Sequence, residues 1–228
     1  MAGSFLDVLV GIDRQELLAA SRRRKFARND TIFHEGDPGE SLHVVAKGYV
    51  AIRTTTELGD VVTLTVLGPG EPFGELAMLT SHAARSASAV ALSPVETLSW
   101  QRAKVDELRT ASHEFDRFLL EILAGQVRTL TGQLVEALHF PVEIRVLRRL
   151  SGLAELYDPD AETALIPVTQ EDLASMAGTT RPSANRVLKE AEGEGILVLR
   201  RGRIEVVDRS GLAAKAQLAA KTVSSSGS

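Results

Sequence analysis

Between residue 26 and about residue 100 the chain runs in short apolar stretches: Thr31–Phe33, Leu42–Val45, Val50–Arg53, Val61–Leu67, Ala87–Leu92 and Val95–Trp100. Turn-formers separate them, among them Gly36-Asp37-Pro38-Gly39, Lys47-Gly48, Leu58-Gly59-Asp60, Gly68-Pro69-Gly70 and Ser93-Pro94. Many short strands at regular spacing with glycine turns predict an all-β roll. Gly36, Gly48, Gly59 and Gly70 are read as turn positions that need a positive φ. Ahead of the roll, residues 5–24 place Leu6, Leu9, Ile12, Leu17 and Leu18 as the apolar positions of short helical material. The basic run Arg22-Arg23-Arg24-Lys25 closes that segment and reads as a solvated surface.

Near residue 111 the period changes to helical and stays so to about 139. Leu120, Leu123, Val127, Leu130, Leu134 and Ala137 follow at spacings of 3, 4, 3, 4 and 3, which is a heptad seam. Such a seam on a long helix faces another helix, so homodimerisation is expected. Phe140-Pro141 breaks the run, because proline cannot continue the i→i−4 ladder, and reads as a hinge. Beyond it come a helix over Val142–Leu156, a strand over Ala164–Val168, helices over Gln170–Ala177 and Arg181–Glu192, and a hairpin of Ile196–Arg200 with Arg203–Val207. The expected architecture is α+β: a β-roll over 1–110, a dimerisation helix and hinge over 111–140, a winged helix-turn-helix domain over 141–212, and a flexible tail over 213–228.

Composition narrows the chemistry. The 228 residues include no cysteine, which removes disulfides, zinc-thiolate sites, thiolate-ligated iron–sulfur clusters and cysteine nucleophiles. His34, His43, His82, His113 and His139 show no metal-ligand spacing, so neither a metal nor haem is expected. No apolar run approaches the ~20 residues that span a bilayer, and the N-terminus lacks the basic start of a signal peptide. A cytoplasmic protein without membrane contact is expected. The net charge of −4 weighs little against nucleic-acid binding, since the arginines cluster while the acids are spread.

Two segments carry ligand chemistry. In Pro72-Phe73-Gly74-Glu75-Leu76-Ala77-Met78-Leu79 a strand ends, Gly74 turns the backbone, and a short helix opens with N–H groups suited to an anionic oxygen. Eleven residues past Gly74 stand Arg85 and Ser86, a guanidinium and a hydroxyl that complete a phosphate pocket. Glu75, turned inward, needs a donor, and a sugar hydroxyl is a sensible one. The second segment, Thr169 through Leu188, reads as helix-turn-helix with Gly178 in the turn and Thr180 as N-cap. Arg181, Asn185 and Arg186 lie on the outer face of the second helix, where side chains reach the major groove. Arginine is the bidentate partner of guanine O6/N7, while Thr169, Thr179 and Thr180 are placed for phosphates. Arg200, Arg201 and Arg203 on the hairpin read as a wing touching the backbone.

F-G-E-L-A followed at this distance by R-S-A resembles the phosphate-binding cassette of cyclic-nucleotide-binding domains. With the helix-turn-helix behind it, about residues 25–210 resemble the bacterial CRP/FNR group of transcription regulators. Within that group the likeness is greatest to the cyclic-AMP receptor proteins, also called catabolite activator proteins. The resemblance implies that Arg85 pairs with a cyclic phosphate, Ser86 and the backbone near Leu76 and Ala77 add hydrogen bonds, and Glu75 takes the ribose 2′-hydroxyl. It implies a purine contact at Leu130 and Thr131, of which only Thr131 keeps the family's hydroxyl. It places Arg181 and Arg186 at the arginines of the family's R-E-x-x-x-R recognition element, with Pro182 in place of the glutamate.

The resulting expectation is a non-enzymatic homodimeric regulator that reads a palindromic operator on double-stranded DNA, with RNA polymerase as a further partner. Cyclic AMP is the expected allosteric ligand, cyclic GMP or none being the alternatives, and it would set the orientation of the two recognition helices. Two rivals stay open: a regulator with a vestigial or differently liganded cassette, and a nucleotide sensor acting through protein partners. An enzyme with an appended sensor is excluded, because no residues are left to form a catalytic domain.

Overall fold

The computed structural model describes residues 14–79 and 83–225. Leu6, Leu9 and Ile12 lie outside them. The chain forms two units, one reaching residue 61 and resuming over 65–129, the other comprising 62–64 and residues from 130 onward.

The first unit opens with helix α1 (Arg14–Ala19) and is built on eight strands: β1 (Arg22–Phe26), β2 (Thr31–Phe33), β3 (Ser41–Lys47), β4 (Val50–Thr55), β5 (Val61–Leu67), β6 (Pro72–Phe73), β7 (Ser88–Ala91) and β8 (Val95–Gln101). They form two four-stranded sheets, ordered β1-β8-β3-β6 and β2-β7-β4-β5. The glycine turns account for the short strands: Gly36, Gly48, Gly59 and Gly70 all have positive φ, the region open to a residue without Cβ. The basic run expected at the end of a helical segment is instead strand β1, antiparallel to β8 with Arg22 opposite Ser99 and Phe26 opposite Val95. Arg23 and Lys25 point to one side and pair there with Glu96, at 2.9 and 3.4 Å. Strand pairing, which offers five backbone groups at once, outweighs the weak helical preference of four consecutive cations.

Helix α2 (Leu76–Leu79) follows β6, and α3 (Arg102–Ala111) follows β8. The long helix α4 (His113–His139) begins after a break at Ser112 and runs from the first unit into the second. Leu17, Leu42, Val44, Met78, Trp100, Val105, Phe115 and Leu119 form one core of the first unit. Ile32, Val45, Val50, Phe73, Ala89 and Ala91 form another. Trp100 buries its ring and satisfies its indole N–H on the Leu17 carbonyl at 2.9 Å, which ties α1 to the roll.

The second unit contains α5 (Val142–Tyr157), β9 (Ala164–Ile166), α6 (Gln170–Met176), α7 (Arg181–Gly193), the hairpin β10 (Leu197–Arg200) and β11 (Arg203–Val206), and α8 (Arg209–Ser225). Its sheet order is β10-β11-β9. Ile144, Leu147, Leu150, Leu173, Leu188 and Ile204 are buried at its centre. The tail expected from residue 213 is a correction: Arg209–Ser225 is one helix, begun by Asp208, whose Oδ1 accepts from Gly211 N–H at 2.8 Å. Leu212 and Ala216 are buried, and Lys215 lies within 3.9 Å of Glu143, Glu190 and Glu194, so packing against α5 and α7 holds a segment whose composition looked structureless. No helix among the described residues is long and apolar enough to cross a membrane.

Candidate functional site

Two candidate sites lie in separate units. In the first, Phe73 ends β6 and Gly74 turns the chain with φ +78°. A Cβ on Gly74 would stand 2.4 Å from Arg85 Nη1, so this position needs glycine both for its torsion and for the close approach of the arginine. Arg85 Nη1 donates to the Gly74 carbonyl at 3.0 Å, and Nη2 donates to the Ser41 carbonyl at 2.7 Å and to Ser41 Oγ at 3.1 Å. The guanidinium lies over the Phe33 ring, 4.1 Å from its centroid. Arg85 is 5% exposed, and burial pulls its pKa below the usual arginine value while the neighbouring Glu75 charge opposes that shift. Its Nε–H is buried without a hydrogen-bond partner among the described residues.

The sequence-predicted residues are thus only partly brought together. Glu75 is 4% exposed and faces the arginine's surroundings, but its donor comes from the chain itself: Gln126 on α4 donates to Glu75 Oε1 at 2.6 Å. Ala77 is buried in α2, Leu76 is 44% exposed, and Ser86 is exposed beside the buried Arg85. Leu130 and Thr131 stand exposed on the part of α4 that belongs to the second unit. Sequence reasoning missed Phe33, Ser41, His43 and Gln126. Ser41 and His43 are two apart on β3 and so share a face, a spacing that was legible, but nothing local says an arginine 44 residues on will reach them. His43 Nε2 lies 2.9 Å from Ser41 Oγ. Burial, then Arg85 and Arg24, lower the His43 pKa to about 3, so the ring is neutral. A separate cavity bounded by Gly36, Gly39, Met78, Ala84, Arg102 and Arg109 opens beside α2; neither Arg85 nor Glu75 lines it. Among the described residues no cluster of three or more side chains could hold a metal ion.

In the second unit Thr169 caps α6: its hydroxyl accepts from Asp172 N–H at 3.0 Å while the Asp172 carboxylate accepts from Thr169 N–H at 3.2 Å. Gly178 makes the turn with φ +59°. Two arginines of α5 hold that turn, Arg149 Nε donating to the Met176 carbonyl at 3.1 Å and Arg145 Nη1 to the Gly178 carbonyl at 3.2 Å. Thr180 then caps α7, with its hydroxyl 3.4 Å from Ser183 N–H and Pro182 in the first turn, where its missing donor costs nothing. Ala184, Val187, Leu188 and Ala191 bury one face of α7. The opposite face carries Arg181, Pro182 and Arg186 fully exposed and Asn185 half-buried. Among the described residues neither Arg181 nor Arg186 has an ion-pair partner, so both are free to meet an anion or a base edge. Thr169 and Thr180 are exposed and Thr179 half-buried. On the hairpin, Arg201 and Arg203 are exposed, while Arg200 is drawn to Glu205 at 3.4 Å and is less available than its neighbours.

This geometry agrees with comparisons to known proteins. Residues 23–112 match the cyclic nucleotide-binding domain, and residues 144–215 match the Crp-like helix-turn-helix domain. The cyclic AMP receptor protein of Thermus thermophilus is 33% identical over 83% of this chain and 85% of its own length. The CRP-like cAMP-activated global transcriptional regulator of Mycobacterium tuberculosis is 27% identical over 92% of this chain and 96% of its own. The crystal structure of the Thermus thermophilus catabolite activator protein superposes with a TM-score of 0.53 at 30% identity, covering 94% of this chain and 99% of that one. A cyclic nucleotide-binding domain followed by a Crp-like helix-turn-helix domain, together with a relative 33% identical over most of both chains, makes this protein a member of the CRP/FNR family of transcription regulators.

Proposed function

We propose that the protein is a cyclic-AMP-responsive, sequence-specific regulator that binds palindromic DNA as a homodimer. The observation that carries this reading is the Arg85 guanidinium, buried beside Gly74 and Glu75 with an Nε–H that has no partner among the described residues. A buried donor without a partner is costly, and a phosphate oxygen would satisfy it. Glu75 uses Oε1 for Gln126, and its second oxygen is the acceptor for a ribose hydroxyl. The relatives named for cyclic AMP in Thermus thermophilus and Mycobacterium tuberculosis support the choice of adenine nucleotide. The long helix supplies the dimer face, since Leu120, Val127, Leu130, Leu134 and Leu138 are each 59% exposed or more in the single chain. Binding would act by favouring the conformation in which two recognition helices lie about one DNA turn apart (~34 Å). Calorimetric titration with cyclic AMP, and with cyclic GMP alongside, tests this: selective binding of cyclic AMP is expected, and no heat or thermal shift with either would overturn it.

On the DNA side, Arg181 and Arg186 read bases and the threonines position the backbone. Arg181→Ala is expected to cost about 1–3 kcal/mol at one base position of a selected operator and relax specificity there. An equal loss across all sequences would reduce Arg181 to a phosphate contact.

A ligand-independent regulator with a vestigial cassette is the second reading, and specific contacts favour it. Ser41 and Gly74 already occupy part of the arginine, Gln126 holds Glu75, and Leu130 lacks a hydroxyl. The same titration separates the two.

A further inference from the structure

Arg85 does not lie in its pocket by packing alone. Its contacts lead into a run of polar side chains that the nucleotide chemistry above leaves unexplained: Ser41, His43 and Thr97, all of them buried. Buried hydroxyl and imidazole groups at the centre of a β-roll are costly unless each is satisfied, so their arrangement carries information.

The arginine end of this run orders its hydrogen bonds, because an arginine only donates. Ser41 Oγ accepts from Arg85 Nη2 at 3.1 Å, and its own proton has His43 Nε2, at 2.9 Å, within reach as an acceptor. In that arrangement Nε2 is the lone-pair nitrogen, Nδ1 carries the proton, and Nδ1–H faces Thr97 Oγ1 at 3.4 Å. The plane of the ring is set by the aromatic side chains around it, Phe73 stacked at 5.1 Å and Phe33 tilted at 5.9 Å. Phe33 also covers one face of the guanidinium, so a single aromatic wall holds both the histidine and the arginine.

We infer that His43, acting through Ser41, is a positioning residue that fixes the rotation of the Arg85 guanidinium and leaves its unpartnered Nε–H presented for a phosphate oxygen. The inference rests on the proposed nucleotide site for its purpose, while the contacts of the lock are made by the chain's own residues. A protonated His43 would donate from Nε2 and take away the acceptor that lies 2.9 Å from the Ser41 hydroxyl, whereas the neutral ring can keep it. The arginine's orientation is thereby settled before a ligand arrives, which lowers the entropy lost on binding.

The test uses the full-length protein labelled with 15N at histidine and arginine, observed without ligand and then titrated with cyclic AMP. Expected in the ligand-free protein are a His43 ring with the proton on Nδ1 and a slowly rotating Arg85 guanidinium. Ser41→Ala, which removes one oxygen, and His43→Leu both leave the Ser41 and Gly74 carbonyl contacts in place, and should speed that rotation and weaken cyclic AMP binding on the order of tenfold, the worth of one net hydrogen bond. His43→Gln, whose side-chain amide reaches the place of Nε2, should restore the slow rotation and most of the affinity. A proton found on Nε2, or an Arg85 rotation unchanged in Ser41→Ala, overturns the lock. Failure of the unaltered protein to bind cyclic AMP or cyclic GMP overturns the proposed site, and with it the purpose assigned to the lock.

Discussion

Arg85→Ala is expected to weaken cyclic AMP binding by about 2–5 kcal/mol, roughly thirty-fold to several-thousand-fold, measured by calorimetry. The size follows from burial. A guanidinium 5% exposed meets a phosphate with little water to screen it, so its charge-assisted bonds have no ready substitute. The same change removes the donor that satisfies the Ser41 carbonyl and hydroxyl and the Gly74 carbonyl, so a lower Tm is expected as well. Arg85→Lys separates the two effects, since it keeps the charge but not the planar fork. Affinity for cyclic AMP that survives Arg85→Ala unchanged would remove this residue from the ligand site.

Leu134→Glu is expected to break the dimer. Leu134 is 59% exposed in the single chain and follows Val127 and Leu130 along one helical face. Full burial of a leucine side chain is worth about 1.5–3 kcal/mol, and a two-fold interface counts it twice. The glutamate adds the cost of bringing two like charges together where no partner waits. The dimer dissociation constant should rise by at least on the order of a hundredfold in sedimentation velocity, and affinity for a palindromic site should fall with it. A dimer that persists in Leu134→Glu would place the interface on another face.

Both predictions draw on features of unequal legibility. The seam on α4 could be read from spacing, because helical periodicity puts residues three and four apart on one face whatever the rest of the chain does. The cassette was legible for a similar reason: Gly74, Glu75 and the start of α2 lie within a few residues, and Arg85 returns after one short loop. The helix-turn-helix was legible through Gly178 in its turn and Thr180 as N-cap, whereas the capping box of Thr169 with Asp172 was not anticipated, Thr169 having been expected at a phosphate.

The failures have one cause. Arg22–Lys25 is solvated as expected, yet it forms a strand rather than the end of a helical segment because its partner, β8, lies some seventy residues away, as the contact of Arg23 with Glu96 shows. The segment after residue 212 looked structureless because the glutamates that hold Lys215 lie on α5 and α7. Gln126, 51 residues on, was missed as a donor to Glu75 because nothing local to either residue marks the contact.

By itself the sequence determined where most strands, turns and helices fall, the Arg22–Phe26 strand and the C-terminal helix aside, that Thr180 caps the recognition helix, and which two domains the chain contains. Those are decisions of local sterics and of side chains within one or two turns of one another. Only the tertiary structure decided that Arg85 is caged by Ser41 and Phe33, that His43 stands behind it as a neutral ring, and that Gln126 reaches Glu75. These contacts join residues distant in sequence, and their strength comes from the exclusion of water, which exists only once the sheets and helices have closed over them.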